Sequence, residues 1–281
     1  MAVKIITDSS SDLTLEYAAK NDIEIIPLRI LFKDASYLSG VELRPQQFFE
    51  KLETADELPK TSQPTPGELQ SVFHKYLDAG DQIVAVFISS RMSGTYAAAR
   101  LLKESEGLDN LYLVDSQTVT FALGILVMEA VRLKNMGLSA DKIHEELERV
   151  KGRVKLYASV GTLKYLQMGG RLSSTSAFFG SVLNIKPIIT IKDGLVEAID
   201  KQRGQKRAFD ALIELLKKGR VDLSRPRILA HTAQPALMDE LAENIRRLTD
   251  FDVDAFARCD IGATVGVHVG PGACGFAFFQ E

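Results

Sequence analysis

Two runs constrain this chain more than any other feature: Gln82 to Ser90 (QIVAVFISS) and Leu111 to Val114. Both are almost continuously apolar. Each passes straight into polar residues and then into a helical stretch, Ser93 to Lys103 and Val119 to Met136. A strand without polar alternation has to be covered on both faces, and strands separated by helices pair in parallel. Val3 to Thr7 reads as a further strand, ending in Asp8-Ser9-Ser10-Ser11-Asp12 and followed by a helix over Leu15 to Lys20. Ile23 to Phe32 reads as another. We expect an α/β domain with a parallel sheet flanked by helices over residues 1–150.

The second half has a different rhythm. Val154 to Val160 reads as a strand. Pro187 to Lys192 and Leu195 to Asp200 read as a hairpin, because Asp193-Gly194 supplies the turn that so short a loop requires. Arg207 to Lys218 forms an amphipathic helix and Arg227 to His231 a strand. Pro235 to Leu248 is a helix with proline at its start. Val253 to Ala257 and Gly275 to Phe279 are strands, the last preceded by Gly-rich loops. Hairpins mixed with helices predict a C-terminal α/β domain over residues 151–281 with a mixed or antiparallel sheet. The length of 281 residues agrees with about two domains.

Composition removes several classes of function. With 46% hydrophobic and 25% charged residues, disorder and collagen-like structure are excluded. A net charge of −3 argues against binding nucleic acid through a general basic surface. Cys259 and Cys274 stand in no metal-ligand spacing, so neither a disulfide framework nor a structural zinc site is expected. The N-terminus turns polar at Thr7-Asp8, too early for a secretion signal, and no apolar run spans a bilayer. The expected compartment is the cytoplasm.

Ligands of an open parallel sheet bind beyond the carboxyl ends of its strands. Short polar groups collect there at Asp8-Ser9-Ser10, at Ser89-Ser90 running to Ser93-Gly94-Thr95, and at Asp115-Ser116. Asp115 and Ser116 are read as helix caps. Ser93 is read as functional, since it opens a helix whose N–H groups and dipole favour an anion, with Gly94 letting a ligand reach the backbone. In Thr61-Ser62-Gln63-Pro64-Thr65-Pro66-Gly67-Glu68, Thr65 and Glu68 make a capping box, which leaves Thr61 and Ser62 as spare hydroxyls in a stiff loop. Gly169-Gly170-Arg171 follows a short helix over Leu163 to Met168; an arginine beside paired glycines and a new helix start at Ser173 or Ser174 can clamp an anion. His268 sits among glycines in Gly266 to Gly275, read as a tight loop that offers a ligand contact. His74 and His144 are read as surface residues and His231 as the end of a strand.

No phosphate-binding GxxxxGK[ST], no GxGxxG at a strand–helix turn, no GxSxG elbow and no HExxH occurs. No metal and no cofactor is expected, and a kinase or dehydrogenase would lack a visible nucleotide site.

Taken together the segments resemble the DegV family, the fatty-acid-binding proteins that include the binding subunit of bacterial fatty acid kinase. The likeness runs over nearly the whole chain. It is carried by Thr7 to Leu13, Thr61 to Pro64, Ser89 to Tyr96, Val114 to Ser116, Leu163 to Leu166 with Gly169 to Ser173, Lys186 to Ile189, and the His268 segment. The resemblance implies two α/β domains with a lipid between them. It implies a long-chain fatty acid whose carboxylate meets Thr61 and Ser93, with Arg171 and His268 near and Ser62, Gly94, Thr95 and Gly170 in support. It also implies a separate ATP-binding kinase subunit that phosphorylates the bound acid, docked on the basic residues Lys201, Arg203, Lys206 and Arg207, with at most transient membrane contact. The chain departs from the family pattern at Gly204, Ala263 and Val269, where threonine, proline and threonine are expected.

Apolar residues for an acyl chain are present in Phe121, Leu123, Ile125 and Leu126, and in Phe178, Phe179, Val182 and Leu183. Two rival readings stay open: a hydrolase of acyl substrates using Ser93 with His268 as base, and a carrier of another small anionic metabolite.

Overall fold

The structure, a computed structural model, describes residues 2–173 and 184–281. The N-terminal half runs β1 (Val3–Asp8), α1 (Leu15–Lys20), β2 (Ile23–Ile26), β3 (Arg29–Leu31), β4 (Ser36–Leu38), α2 (Pro45–Glu53), β5 (Lys60–Ser62), α3 (Pro66–Leu77), β6 (Gln82–Phe87), α4 (Thr95–Glu106), β7 (Leu111–Asp115), α5 (Thr120–Asn135) and α6 (Ala140–Val150). Four of its strands form a wholly parallel sheet in the order β2-β1-β6-β7. The apolar runs account for it: five of the six residues of β1, and five of the six of β6, are buried. The chain moves one way from β1 to β2 and the other way to β6, so the β1/β6 boundary is the switch point where such sheets open a crevice.

The run Ile23 to Phe32 is not one strand. Pro27 lacks the N–H needed to continue the ladder, and the next amide, Leu28 N–H, donates to Ser9 Oγ at 3.0 Å. Beyond it β3 turns out of the parallel sheet and lies between β4 and β5 in a separate antiparallel sheet, with Ile30 opposite Thr61 and Arg29 opposite Ser62. Thr61 and Ser62 therefore stand on a strand and not in the stiff loop that their neighbouring prolines suggest.

The C-terminal half runs β8 (Val154–Ser159), α7 (Lys164–Met168), β9 (Ile185–Lys192), β10 (Leu195–Arg203), α8 (Gln205–Lys218), β11 (Ile228–His231), α9 (Pro235–Leu248), β12 (Ala257–Asp260), α10 (Ala263–Val269) and β13 (Cys274–Phe279). Its six strands form one mixed sheet, β10-β9-β8-β13-β11-β12, antiparallel except for the β11/β12 pair. The strand read over Val253 to Ala257 lies later. Asp252 accepts from Asp254 N–H and winds Val253–Ala255 into a 3₁₀ turn, so pairing starts at Ala257. The Gly-rich stretch around His268 is likewise not a loop: Ala263–Val269 is helical, and its glycine is needed for packing, since a Cβ on Gly266 would lie 2.6 Å from the Phe48 ring.

Helix α5 joins the halves. It is buried nearly all round, packing on β1 and β6 on one side and on β8, β11 and β13 on the other. One apolar core runs continuously through it, from Ile5, Val84 and Val114 to Leu156, Ile228 and Ala277. The β9–β10 hairpin reaches back across the molecule. Asp193 and Gly194 both have positive φ, as its tight turn demands. The tip is held by Ser89 Oγ donating to Gly194 O and by Arg91 Nη1 donating to Asp193 O, both at 2.8 Å.

Candidate functional site

A cavity of about 300 Å³ opens beyond the carboxyl end of β6. One wall is Ile88, Met92, Ser93 and Gly94; the facing wall is Leu156, Ala158, Ile189, Ile191 and Val196 of the mixed sheet. The small sheet contributes Thr61 and Ser62, and α10 contributes Thr264, Val265, His268 and Val269. Segments far apart in the sequence thus supply one space.

The polar residues among them meet in a closed ring of contacts. Thr61 Oγ1 lies 3.0 Å from His268 Nε2. His268 Nδ1 packs on Gly169, where a Cβ would stand only 2.3 Å from that nitrogen. Two residues on, Arg171 Nε donates to Met92 O at 3.1 Å, and its Nη1 donates to Gly169 O. Met92 leads into Ser93 and Gly94, and the Gln63 amide fills the space above Gly94. Gln63 closes the ring two residues from Thr61. The Gln63 side chain thus approaches the Gly94 backbone, and Gly94 itself lines the cavity.

Ser93 stands two residues ahead of α4. Its Oγ accepts from Thr95 N–H at 3.3 Å and shares a hydrogen bond with Thr95 Oγ1 at 2.9 Å. It precedes the N-cap residue Gly94, holds the first amide of the helix and still borders the cavity. The positive end of a twelve-residue helix therefore faces the same space as Arg171. Thr95 and Gly170 support the ring from outside. Thr95 is fully buried behind Ser93, and Gly170 adopts φ +68° at the end of α7; neither lines the cavity.

Burial, and secondarily the Arg171 charge, hold the His268 imidazole down to about 4, so it is neutral in neutral solution. Its Nδ1 is buried without a partner among the described residues. A proton there would strand a buried donor, which costs more than an unused acceptor lone pair. The proton therefore sits on Nε2 and is donated to Thr61 Oγ1. This leaves the Thr61 hydroxyl proton for a group inside the cavity. The ring as a whole presents Thr61 and Ser93 hydroxyls, N–H groups of Arg171 that are unspent among the described residues and a helix N-terminus: an anion site with apolar surroundings.

Several residues lie elsewhere. Phe121 lines the cavity, whereas Leu123, Ile125 and Leu126 are spent on the core around α5. Phe178, Phe179, Val182, Leu183 and Ser174 lie outside the described residues. Lys201 and Arg203 end β10, and Lys206 and Arg207 open α8; all four are exposed and none lines the cavity. His74 and His144 are both half-buried, His74 with Asp78 and Glu106 as partners and His144 against Leu113 O. His231 is buried with Nε2 at 2.8 Å from Asp260. Gln63, Thr120 and Thr264 also line the cavity. Gln63 sat within a quoted motif; the two threonines carry no local signal. Among the described residues no group of three or more His, Cys, Asp or Glu is placed to hold a metal, and no helix is long and apolar enough to cross a membrane.

The likeness to known proteins extends over the same ground. A family model described as an uncharacterised protein of the DegV family matches residues 2–281. A DegV domain-containing protein of Deinococcus radiodurans is 36% identical, over 99% of this chain and 98% of its own. Among solved structures, a DegV family protein from Thermus thermophilus, described by its fatty acid binding, superposes with a TM-score of 0.90 at 28% identity over 100% of both chains. DegV from Bacillus subtilis, described as a fatty acid binding protein, superposes with a TM-score of 0.83 at 32% identity, again over 100% of both. With sequence and overall structure both matched end to end, this chain belongs to the DegV family.

Proposed function

We propose that the chain binds a long-chain fatty acid in the 300 Å³ cavity, with the carboxylate at Thr61 and Ser93 and with Arg171 and His268 completing its surroundings. Ser62, Gly94, Thr95 and Gly170 hold these groups in place. The single observation that carries the reading is the ring of polar contacts set in an otherwise apolar cavity. The fatty acid binding of the Thermus and Bacillus relatives supports it. A buried carboxylate is tolerable only when hydrogen-bonded, and two hydroxyls, a guanidinium and a helix N-terminus meet that need. Burying an acyl chain gains roughly 0.8 kcal/mol per CH₂, on the order of 10 kcal/mol for a long chain before association costs.

The chain then presents the carboxylate to a separate ATP-dependent kinase, which forms the acyl phosphate. Lys201, Arg203, Lys206 and Arg207 are the proposed docking patch, and residues 1–150 and 151–281 the two domains that enclose the lipid. Hydrolysis by Ser93 and His268 is disfavoured by two observations. Nε2 of His268 is engaged by Thr61, and among the described residues Nδ1 has no carboxylate to orient it, which is the reverse of what a catalytic base requires.

The test is mass spectrometry of an organic extract of the purified protein, followed by calorimetric titration with fatty acid. A co-purified long-chain acid and saturable binding are expected. An empty extract with no binding of added acid would sink the reading, and turnover of acyl esters lost in Ser93→Ala would replace it with the hydrolase.

A further inference from the structure

The segment Asp8-Ser9-Ser10-Ser11-Asp12 takes no direct part in the carboxylate site, and none of its residues lines the 300 Å³ cavity. It forms a partition instead. Ser9, Ser11 and Asp12 line a second cavity, of about 540 Å³. The same loop grips three residues at the wall of the first. Thr120 Oγ1 donates to Asp12 Oδ2 at 2.6 Å, Gly262 N–H donates to Asp12 Oδ1 at 2.8 Å, and Ser9 Oγ shares a hydrogen bond with Thr264 Oγ1 at 3.1 Å. Thr120 and Thr264 face the first cavity, as does Ile261 beside Gly262.

Asp12 thus ties the N-terminus of α5 to that of α10, the helix that carries His268. Asp12 and Thr120 both hold positive φ, +52° and +57°. For a β-branched residue that conformation is an outlier and persists only where its surroundings impose it.

Resting on the fatty-acid reading, we propose that Asp12 is a positioning residue of the acyl cavity. As a carboxylate it keeps the Thr120 hydroxyl turned out of the cavity and fixes the start of α10, so that fatty-acid affinity depends on its ionisation. The direction follows from the two hydrogen bonds. A neutral carboxyl keeps only one oxygen free of a proton. The Gly262 N–H cannot turn, so the proton goes to Oδ2 and Thr120 must redirect its own. A hydroxyl proton turned toward buried methylenes has no acceptor.

Burial pushes Asp12 up to about 7 against those two hydrogen bonds, with the Asp8 charge adding to it, so the change falls near neutrality. The charged and titratable groups around it are few. Asp8, on its own loop, is raised by burial too. On β12 lie Arg258, paired with Asp239; Cys259, held neutral by burial; and Asp260, paired with His231 of β11. Arg44 precedes α2 across the second cavity. The first charged residue of α5 is Glu129, bound to Arg132 and Arg225, and His268 closes the far end of α10.

The experiment titrates the protein with a fluorescent polyene fatty acid between about pH 6 and pH 8. The wild type should lose about fivefold more affinity on acidification than Asp12→Asn, whose amide cannot accept both donors at any pH. Thr120→Val, which keeps the side chain's shape, should flatten the profile as well. Calorimetry near pH 7 in two buffers of different ionisation enthalpy should show more proton release on binding for wild type than for Asp12→Asn, because the ligand favours the ionised form. Parallel profiles with equal proton release would overturn the inference while leaving fatty-acid binding intact. A wild type that takes up no fatty acid at any pH would overturn the fatty-acid reading and this inference with it.

Discussion

Ser93 and His268 act through opposite kinds of hydrogen bonding. Ser93 Oγ accepts from Thr95 N–H, and when Thr95 Oγ1 donates the hydrogen bond that the two hydroxyls share, the Ser93 proton is left for an anion. Ser93→Ala should therefore weaken fatty-acid binding by roughly 1–3 kcal/mol, the worth of one donor to a buried charged acceptor; an unchanged dissociation constant would remove Ser93 from the site. His268 is legible instead in the pH dependence of stability. Folded, it binds its proton only at about 4, against 6.5 for an ordinary imidazole. Its contribution is thus complete above pH 6.5 and lost as pH falls from there toward 4, on the order of 3 kcal/mol. Asp12, raised to about 7 from 3.8, stabilises in the other direction as pH falls through nearly the same window. Only a difference isolates the histidine. In urea unfolding, the stability gap between wild type and His268→Gln should narrow on going from neutral pH to pH 4. A constant gap would show that His268 is not held neutral.

At the scale of elements, the proposed docking patch straddles a junction. Lys201 and Arg203 lie two residues apart on β10, hence on one face of it. Gly204 turns the chain at φ +82°, and Lys206 and Arg207 follow in the first turn of α8. The helix was expected from Arg207 but starts two residues earlier, because the glycine permits the turn. Cations in a first helical turn oppose the helix dipole, a local cost without a compensating ion pair for Lys206 or Arg207 among the described residues. Electrostatic patches act mainly on association rate and are screened by salt. Replacing Arg203 and Lys206 together by alanine should slow acyl-phosphate formation by the partner kinase at low salt and less so at moderate salt, with fatty-acid affinity unchanged. An undiminished rate would remove the docking role, and a lost affinity would move the patch into the ligand site.

Across the whole molecule, the halves are joined by one core and by one buried ionic cluster. Glu129 of α5 is fully buried and accepts from Arg132 Nε and Nη2 at 2.8 and 2.7 Å and from Arg225 Nη1. Arg225, from the segment leading into β11, also reaches Glu146 at 2.9 Å and Asp222 at 3.2 Å. Glu129→Gln leaves Arg225 its contacts with Glu146 and Asp222 and leaves Arg132 partly solvated, but weakens three hydrogen bonds to a buried acceptor. It should cost about 1–3 kcal/mol. Because the core is continuous through α5, wild type and variant should each melt in a single calorimetric transition. Two resolved transitions would show that the halves fold independently.

Much of this architecture could be read from the sequence because its causes are local. The strands β1, β6 and β7 follow from apolar runs, the Thr65–Glu68 capping box and the Asp193-Gly194 turn from neighbours a few residues apart. Thr61, Ser93, Arg171 and His268 stood out by residue type and motif, and all four border one cavity. Other features were decided only by long-range contact. Whether Ile23 to Phe32 is one strand depended on which partners β3 found after Pro27. The His268 stretch became helical because Phe48 and Phe49 pack against Ala263, Gly266 and Val267. Phe121 faces a cavity while Leu123, Ile125 and Leu126 do not, although all four look alike in sequence. Apolar character states that a side chain avoids water; whether it meets another side chain or an empty space is a property of the elements packed around it.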